Sequence, residues 1–247
     1  MTEKSATSEP QANADTTTQR PRQESLWANL LLNIVIPTLI LMKLSGDDWL
    51  GPRLALIIAL AFPICYGVRD YLVRRKFNFF SALGFVSILL TGGIGLLQLD
   101  PQYLAIKEAA IPGLIGLVTL ISVKTRYPLI KVLVYNDKVL KVSKVDHALR
   151  EHNNEAAFEN TLRVASYLVA GSFFLSSFLN YVLARLIVTS PAGTTAFNEE
   201  LGKMTALSFP VIALPAMIVM LAALFYLFKR IRELTHLTLE DLINDGK

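Results

Sequence analysis

The stretch Phe79–Val134, FFSALGFVSILLTGGIGLLQLDPQYLAIKEAAIPGLIGLVTLISVKTRYPLIKVLV, decides the fold. It holds two apolar runs, about Phe79–Leu99 and about Tyr103–Val123, parted by a short polar turn at Asp100–Gln102. Each run is roughly 20 residues long. At a helical rise of about 1.5 Å per residue, that length crosses about 30 Å of hydrocarbon. The prolines and glycines inside the runs fit this reading. Neighbouring helices in a bundle can satisfy the carbonyls that a proline leaves free.

Four more segments of this kind lie outward from it, at about Leu26–Ser45, Arg53–Leu72, Thr161–Val188 and Thr205–Phe228. Hydrophobic residues make up 53% of the 247 positions and charged residues 18%. An average soluble domain carries about 25% charge. Here the charges gather in short segments between the apolar runs, so their distribution decides the class. The sequence predicts an all-α, polytopic transmembrane helical bundle of about six helices. Residues 1–25 are polar, lack the apolar core of a signal peptide, and cannot bury enough surface to offset ordering entropy; they read as a disordered tail. Residues 26–232 form the membrane domain, with a polar loop at 124–160, and 233–247 form a second tail. TRYPLIKVLVY (125–135) suits an interfacial helix. The C-terminal stretch places Leu234, Leu237, Leu242 and Ile243 partly on one face.

Lysine and arginine set the orientation. With the N-terminus inside, 19 of the 24 fall on the cytoplasmic pieces. Lys43, Arg53, Lys107, Arg185 and Lys203 remain for the other side. Each inner piece exceeds each outer one, which supports six crossings with both termini cytoplasmic. The outer loops are Gly46–Pro52, the Asp100–Gln102 turn and Thr189–Met204; none is long enough to form a domain.

Several function classes find no support. There is no basic surface interleaved with aromatics and no nucleic-acid motif. Cys65 is alone, so no intrachain disulfide forms. Thr91-Gly-Gly-Ile-Gly lacks the Lys-Ser/Thr of a phosphate loop; it reads as helix packing, with a channel-lining role as the minority view. His147 and His152 are five apart, off the i, i+4 spacing of helical metal ligands. No G-x-S-x-G occurs. Arg69 and Arg74–Lys76 read as topology and anionic-lipid contacts. The sequence implies no catalytic residue, metal or cofactor.

Six polar or charged residues within the apolar runs are the candidate functional positions: Asn33, Thr91, Lys107, Glu108, Asn180 and Arg185. Intramembrane polar groups are costly and mark function or interhelical contacts. Lys107 and Glu108 are sequence neighbours, which do not face each other on a helix, so they are not expected to pair. Lys107 is expected to snorkel to the interface, and Glu108 to reach Arg185. Asn33 and Asn180 suit interhelical hydrogen bonds, with solute binding as the sharper alternative.

The quoted stretch also resembles the intracellular septation protein A family of bacterial inner-membrane proteins. The likeness lies in the Gly92-Gly93 pair late in one helix, a short acidic turn, Lys107 at the next helix entrance, and Pro128-Leu129-Ile130 after a basic or aromatic residue. Asn160, Asn180-Tyr181 and FNEELGKM (197–204) follow in a similar order, so the resemblance covers about 26–232. It implies a non-enzymatic protein of the inner membrane that supports septation and envelope synthesis by contacting elongation or division proteins, with oligomeric state left open. A small transporter or channel is the rival. VIPTLIL (35–41) and AIPGLIGL (110–117) would run oppositely, as inverted repeats do; LAFPIC (60–65) and LSFPVI (207–212) would run the same way. A polar cavity lined by Asn33, Thr91 and Asn180 would favour transport. A tightly packed interior would favour a partner protein.

Overall fold

Apolar residues at this density leave the backbone to satisfy itself, and in a bilayer a helix does so within one segment. The computed structural model describes residues 30–74, 79–125, 128–135, 137 and 139–242. The predicted tail at 1–25, the start of the first segment, and Arg75, Lys76, Arg126, Lys138 and Ile243 lie outside the described residues. Among the described residues the chain is helical and forms no strands. The helices are α1 (Leu31–Lys43), α2 (Gly51–Arg74), α3 (Phe79–Leu96), α4 (Gln102–Ser122), α5 (Leu129–Val134), α6 (Val142–Glu151), α7 (Glu155–Ile187), α8 (Thr195–Ser208), α9 (Leu214–Thr235) and α10 (Leu239–Leu242). Four helical runs, in α2, α4, α7 and α8 through α9, are long and apolar enough to cross a membrane. α1 and α3 are shorter apolar helices. The fold is therefore an all-α helical membrane bundle.

Two proline-bearing stretches depart from α geometry. The first five residues of α1, just before Pro37, and Phe209–Ala213, around Pro210 and before Pro215, are π-helical. Proline removes a donor and crowds the carbonyl four residues back; a wider turn accommodates both effects. The π turn at Phe209–Ala213 joins α8 to α9, so one helical run extends over Thr195–Thr235.

This run corrects the expected outer loop at Thr189–Met204. The last helix begins at Thr195, about ten residues early. Thr194 caps it, accepting from the Phe197 N–H at 3.1 Å. Phe197, Asn198, Leu201, Gly202 and Met204 are buried. α7 likewise begins at Glu155 rather than Thr161. Its 33 residues span about 50 Å, well beyond the hydrocarbon thickness of about 30 Å. The surplus packs in a second core.

There are two apolar cores. One gathers Leu41, Leu56, Leu104, Leu183, Phe197 and Leu201 at the end of the bundle that carries the 44–50, 97–101 and 188–194 loops. The other, at the opposite end, joins α5, α6 and α10 to α7 and α9 through Leu140, Val145, Phe158, Leu227, Ile231 and Leu242. Much of the polar loop at 124–160 is thus a folded layer. The Lys141 N–H donates to Leu242 O at 2.8 Å, Lys144 pairs with Asp241 at 2.7 Å, and Asn154 donates to Leu234 O at 2.9 Å. His236, left-handed at φ 55°, ends α9 and turns the chain back toward α6. Its ring meets His152 edge-on at 4.8 Å.

Small residues set the closest helix approaches. A side chain at Gly116 would meet Phe173, Phe174 and the Ala170 carbonyl; one at Gly113 would meet Ser177. Ser177 Oγ also donates across to Ala109 O at 2.7 Å, tying α4 to α7. Gly92 and Gly95 face Leu60 and Leu56 of α2, as the packing reading of Thr91–Gly95 expects.

Candidate functional site

α3 turns Ser87 and Thr91, one helical turn apart, to the same face, because residues four apart overlie each other on a helix. α4 enters beside them and presents Lys107, about 7–8 Å inward from its first turn. The Lys107 ammonium donates to Thr91 Oγ1 at 2.8 Å and to Ser87 Oγ at 3.2 Å. It also pairs with the Glu108 carboxylate at 2.6 Å. Thr91 is held in turn, donating to the Ser87 carbonyl at 3.1 Å.

Three expectations are corrected here. Lys107 does not snorkel; its side chain is 7% exposed and points into the bundle. Lys107 and Glu108 do form an ion pair. Their Cβ directions diverge, but the four-carbon lysine stem lets its ammonium swing across to the neighbouring carboxylate. Glu108 consequently does not reach Arg185, which is exposed and forms no ion pair among the described residues.

These groups form the deep end of a cavity of about 710 Å³ between α1, α2, α3, α4 and α8. Thr38, Leu41, Ala59, Thr91, Leu201 and Met204, all buried, line its interior. Gly67, Val68, Gly84 and Phe85, all exposed, line its rim. The space therefore closes toward Lys107 and opens toward the C-terminal part of α2 and the N-terminal part of α3. Its volume is within the range of small-molecule sites, about 300–1,000 Å³. Asn33 and Tyr66 lie on the wall. So does Thr38, whose Oγ1 is enclosed and has no hydrogen-bond partner among the described residues.

Of the six sequence candidates, four line this cavity: Asn33, Thr91, Lys107 and Glu108. Asn180 does not. Its amide donates to the Ser176 carbonyl of its own helix at 2.8 Å, and to Ser176 Oγ at 3.4 Å, so the expected interhelical bond is replaced by an intrahelical one.

Sequence reasoning missed Ser87, Tyr66 and Thr38. The four-residue spacing of Ser87 and Thr91 was the available signal for the first. It also missed Asn198, fully buried, which donates to Ser45 Oγ at 3.1 Å and to Pro52 O at 2.7 Å. These bonds pin α8 to the α1–α2 turn, next to the cavity wall formed by Leu201 and Met204. No group of three or more potential metal-ligating side chains occurs among the described residues.

No protein-family model, no curated protein and no solved structure matches this chain. The fold and the cavity therefore carry the functional argument.

Proposed function

We propose that this chain is a small membrane transporter or channel, not an enzyme, and that its bundle cavity receives a small amphipathic solute. One observation carries this reading. A charged and hydroxylated cluster, Lys107–Glu108–Ser87–Thr91, lies at the deep end of a mostly apolar cavity inside a membrane bundle. Charges within a membrane domain are expensive and line solute or ion paths. The test is aqueous access in a Cys65→Ser background. Ile88→Cys, on the cavity wall, reacts with a membrane-impermeant maleimide. Val86→Cys, exposed on the outside of the same helix, lies against lipid and stays unreacted. If position 88 is as inert as position 86, no water-filled path exists and the reading fails.

A second reading follows from the resemblance: support of septation and envelope synthesis through contacts with other proteins at the bacterial inner membrane. What favours it is the ordered layer of α5, α6 and α10, a charged platform outside the bundle. The lysine and arginine distribution puts that layer and both termini in the cytoplasm. Crosslinked pulldown from bacterial membranes tests it; recovering no elongation or division protein removes its support.

A further inference from the structure

The two charged groups at the cavity's deep end differ in what they have left to offer. An ammonium has three N–H donors and no acceptor. Those of Lys107 already have three oxygen partners, on Thr91, Ser87 and Glu108. An anion entering here finds no spare donor on Lys107; to reach the ammonium it would have to displace one of these three partners. Glu108 is the opposite case. A carboxylate offers about four lone-pair sites, and among the described residues its sole partner is Lys107. Its side chain is also the more accessible of the pair, 25% exposed against 7%.

Other groups point the same way. Tyr66 and Phe85 add two aromatic rings to the lining, and aromatic faces attract cations.

We infer that the cavity takes organic cations: a protonated amine seated on the free lone pairs of Glu108, with its apolar body along Leu41, Leu60, Ile88 and Met204. Lys107 stays in place, and the carboxylate bridges two ammonium groups, each hydrogen-bonded to it. This inference rests on the cavity being the solute site.

The test measures calorimetric binding of three probes with one aromatic body to the full chain in lipid nanodiscs at pH 7, with empty nanodiscs subtracted. The probes are benzylammonium, phenylacetate and benzyl alcohol. Benzylammonium is expected to bind about tenfold or more tightly than either of the others, as one charge-assisted hydrogen bond requires. The double variant Lys107→Met/Glu108→Gln, which removes both charges and strands neither, is expected to erase the preference. Tighter binding of phenylacetate, equal binding of benzyl alcohol, or a preference that survives in the double variant overturns the cation inference and leaves the cavity reading standing. Binding of none of the three overturns the cavity reading itself.

Discussion

The ammonium of Lys107 lies 2.8 Å from the hydroxyl of Thr91, sixteen residues earlier on the preceding helix. That bond joins α3 to α4 where the two helices otherwise share little surface. It also fixes the direction of a charge that could have turned toward the membrane surface. The Lys107–Glu108 pair is then a structural element as well as part of the cavity lining.

Removing one member of the pair leaves the other charge unpaired in a largely enclosed place. Glu108→Gln is expected to destabilise the protein by about 3–5 kcal/mol, while the neutral double variant Lys107→Met/Glu108→Gln recovers most of that loss. Thermal unfolding of the purified protein in detergent checks this. A double variant no more stable than Glu108→Gln would show that the pairing contributes nothing.

Gly116 is a point of close approach between α4 and α7. A Cβ there would sit 3.2 Å from Phe173 Cβ and 3.4 Å from the Ala170 carbonyl, which cannot move away cheaply. Gly116→Val is expected to cost about 1–3 kcal/mol by overpacking. Gly171→Ala on α7 meets nothing within 4 Å and serves as the tolerated control. Equal melting temperatures for the two variants would contradict the interface.

Asn198→Leu removes both side-chain hydrogen bonds to the α1–α2 turn and leaves Ser45 Oγ and Pro52 O without that donor. Each unsatisfied buried group costs about 1–3 kcal/mol. The expected result is a lower melting temperature, with faster hydrogen exchange confined at first to the 44–52 segment. Unchanged exchange there would dismiss the anchoring role.

The docked C-terminal segment should loosen in acid. Hydrogen bonds from Lys144 and then Thr238 hold the Asp241 carboxyl at about 2, below its ordinary 3.8. A carboxyl lowered in the folded state stabilises docking fully above its unfolded value, and that contribution disappears as pH falls through the folded one. Protease cleavage at 236–242 is therefore expected to rise between pH 4 and pH 2. In Lys144→Met the rise is expected to shrink, with more cleavage already present above pH 4, because the gap between folded and unfolded values closes. A pH profile identical in the two proteins would remove this ion pair from the account.

Much of the bundle is legible from hydropathy alone. α2, α3 and α4 stand close to where the apolar runs put them, since a helix in hydrocarbon needs only length and apolar side chains. α8 is not legible in that way. Asn198, Glu199, Glu200 and Lys203 gave its first turns the look of an outer loop. They are helical because the chain before them caps at Thr194 and because Glu200 accepts the N–H groups of Thr189 and Ser190, at 2.9 and 2.8 Å. Neither partner is visible in a window of hydropathy. The layer of α5, α6 and α10 is hidden for the same reason. Its apolar residues are few per element, and they form a core only when Leu140, Val145, Phe158, Ile231 and Leu242 meet.

The candidate residues divide along the same line. By itself the sequence determined the all-α membrane class, the main apolar helices, and which polar residues sit inside them, because each follows from local composition and the thickness of a bilayer. Tertiary structure alone decided which of those residues share a space. It brought Asn33, Thr91, Lys107 and Glu108 to one cavity and turned Asn180 back onto its own helix. It also paired Lys107 with the neighbour that helical spacing had ruled out. The physical reason is that a long flexible side chain chooses its partner by the oxygens around it, and those oxygens belong to another helix.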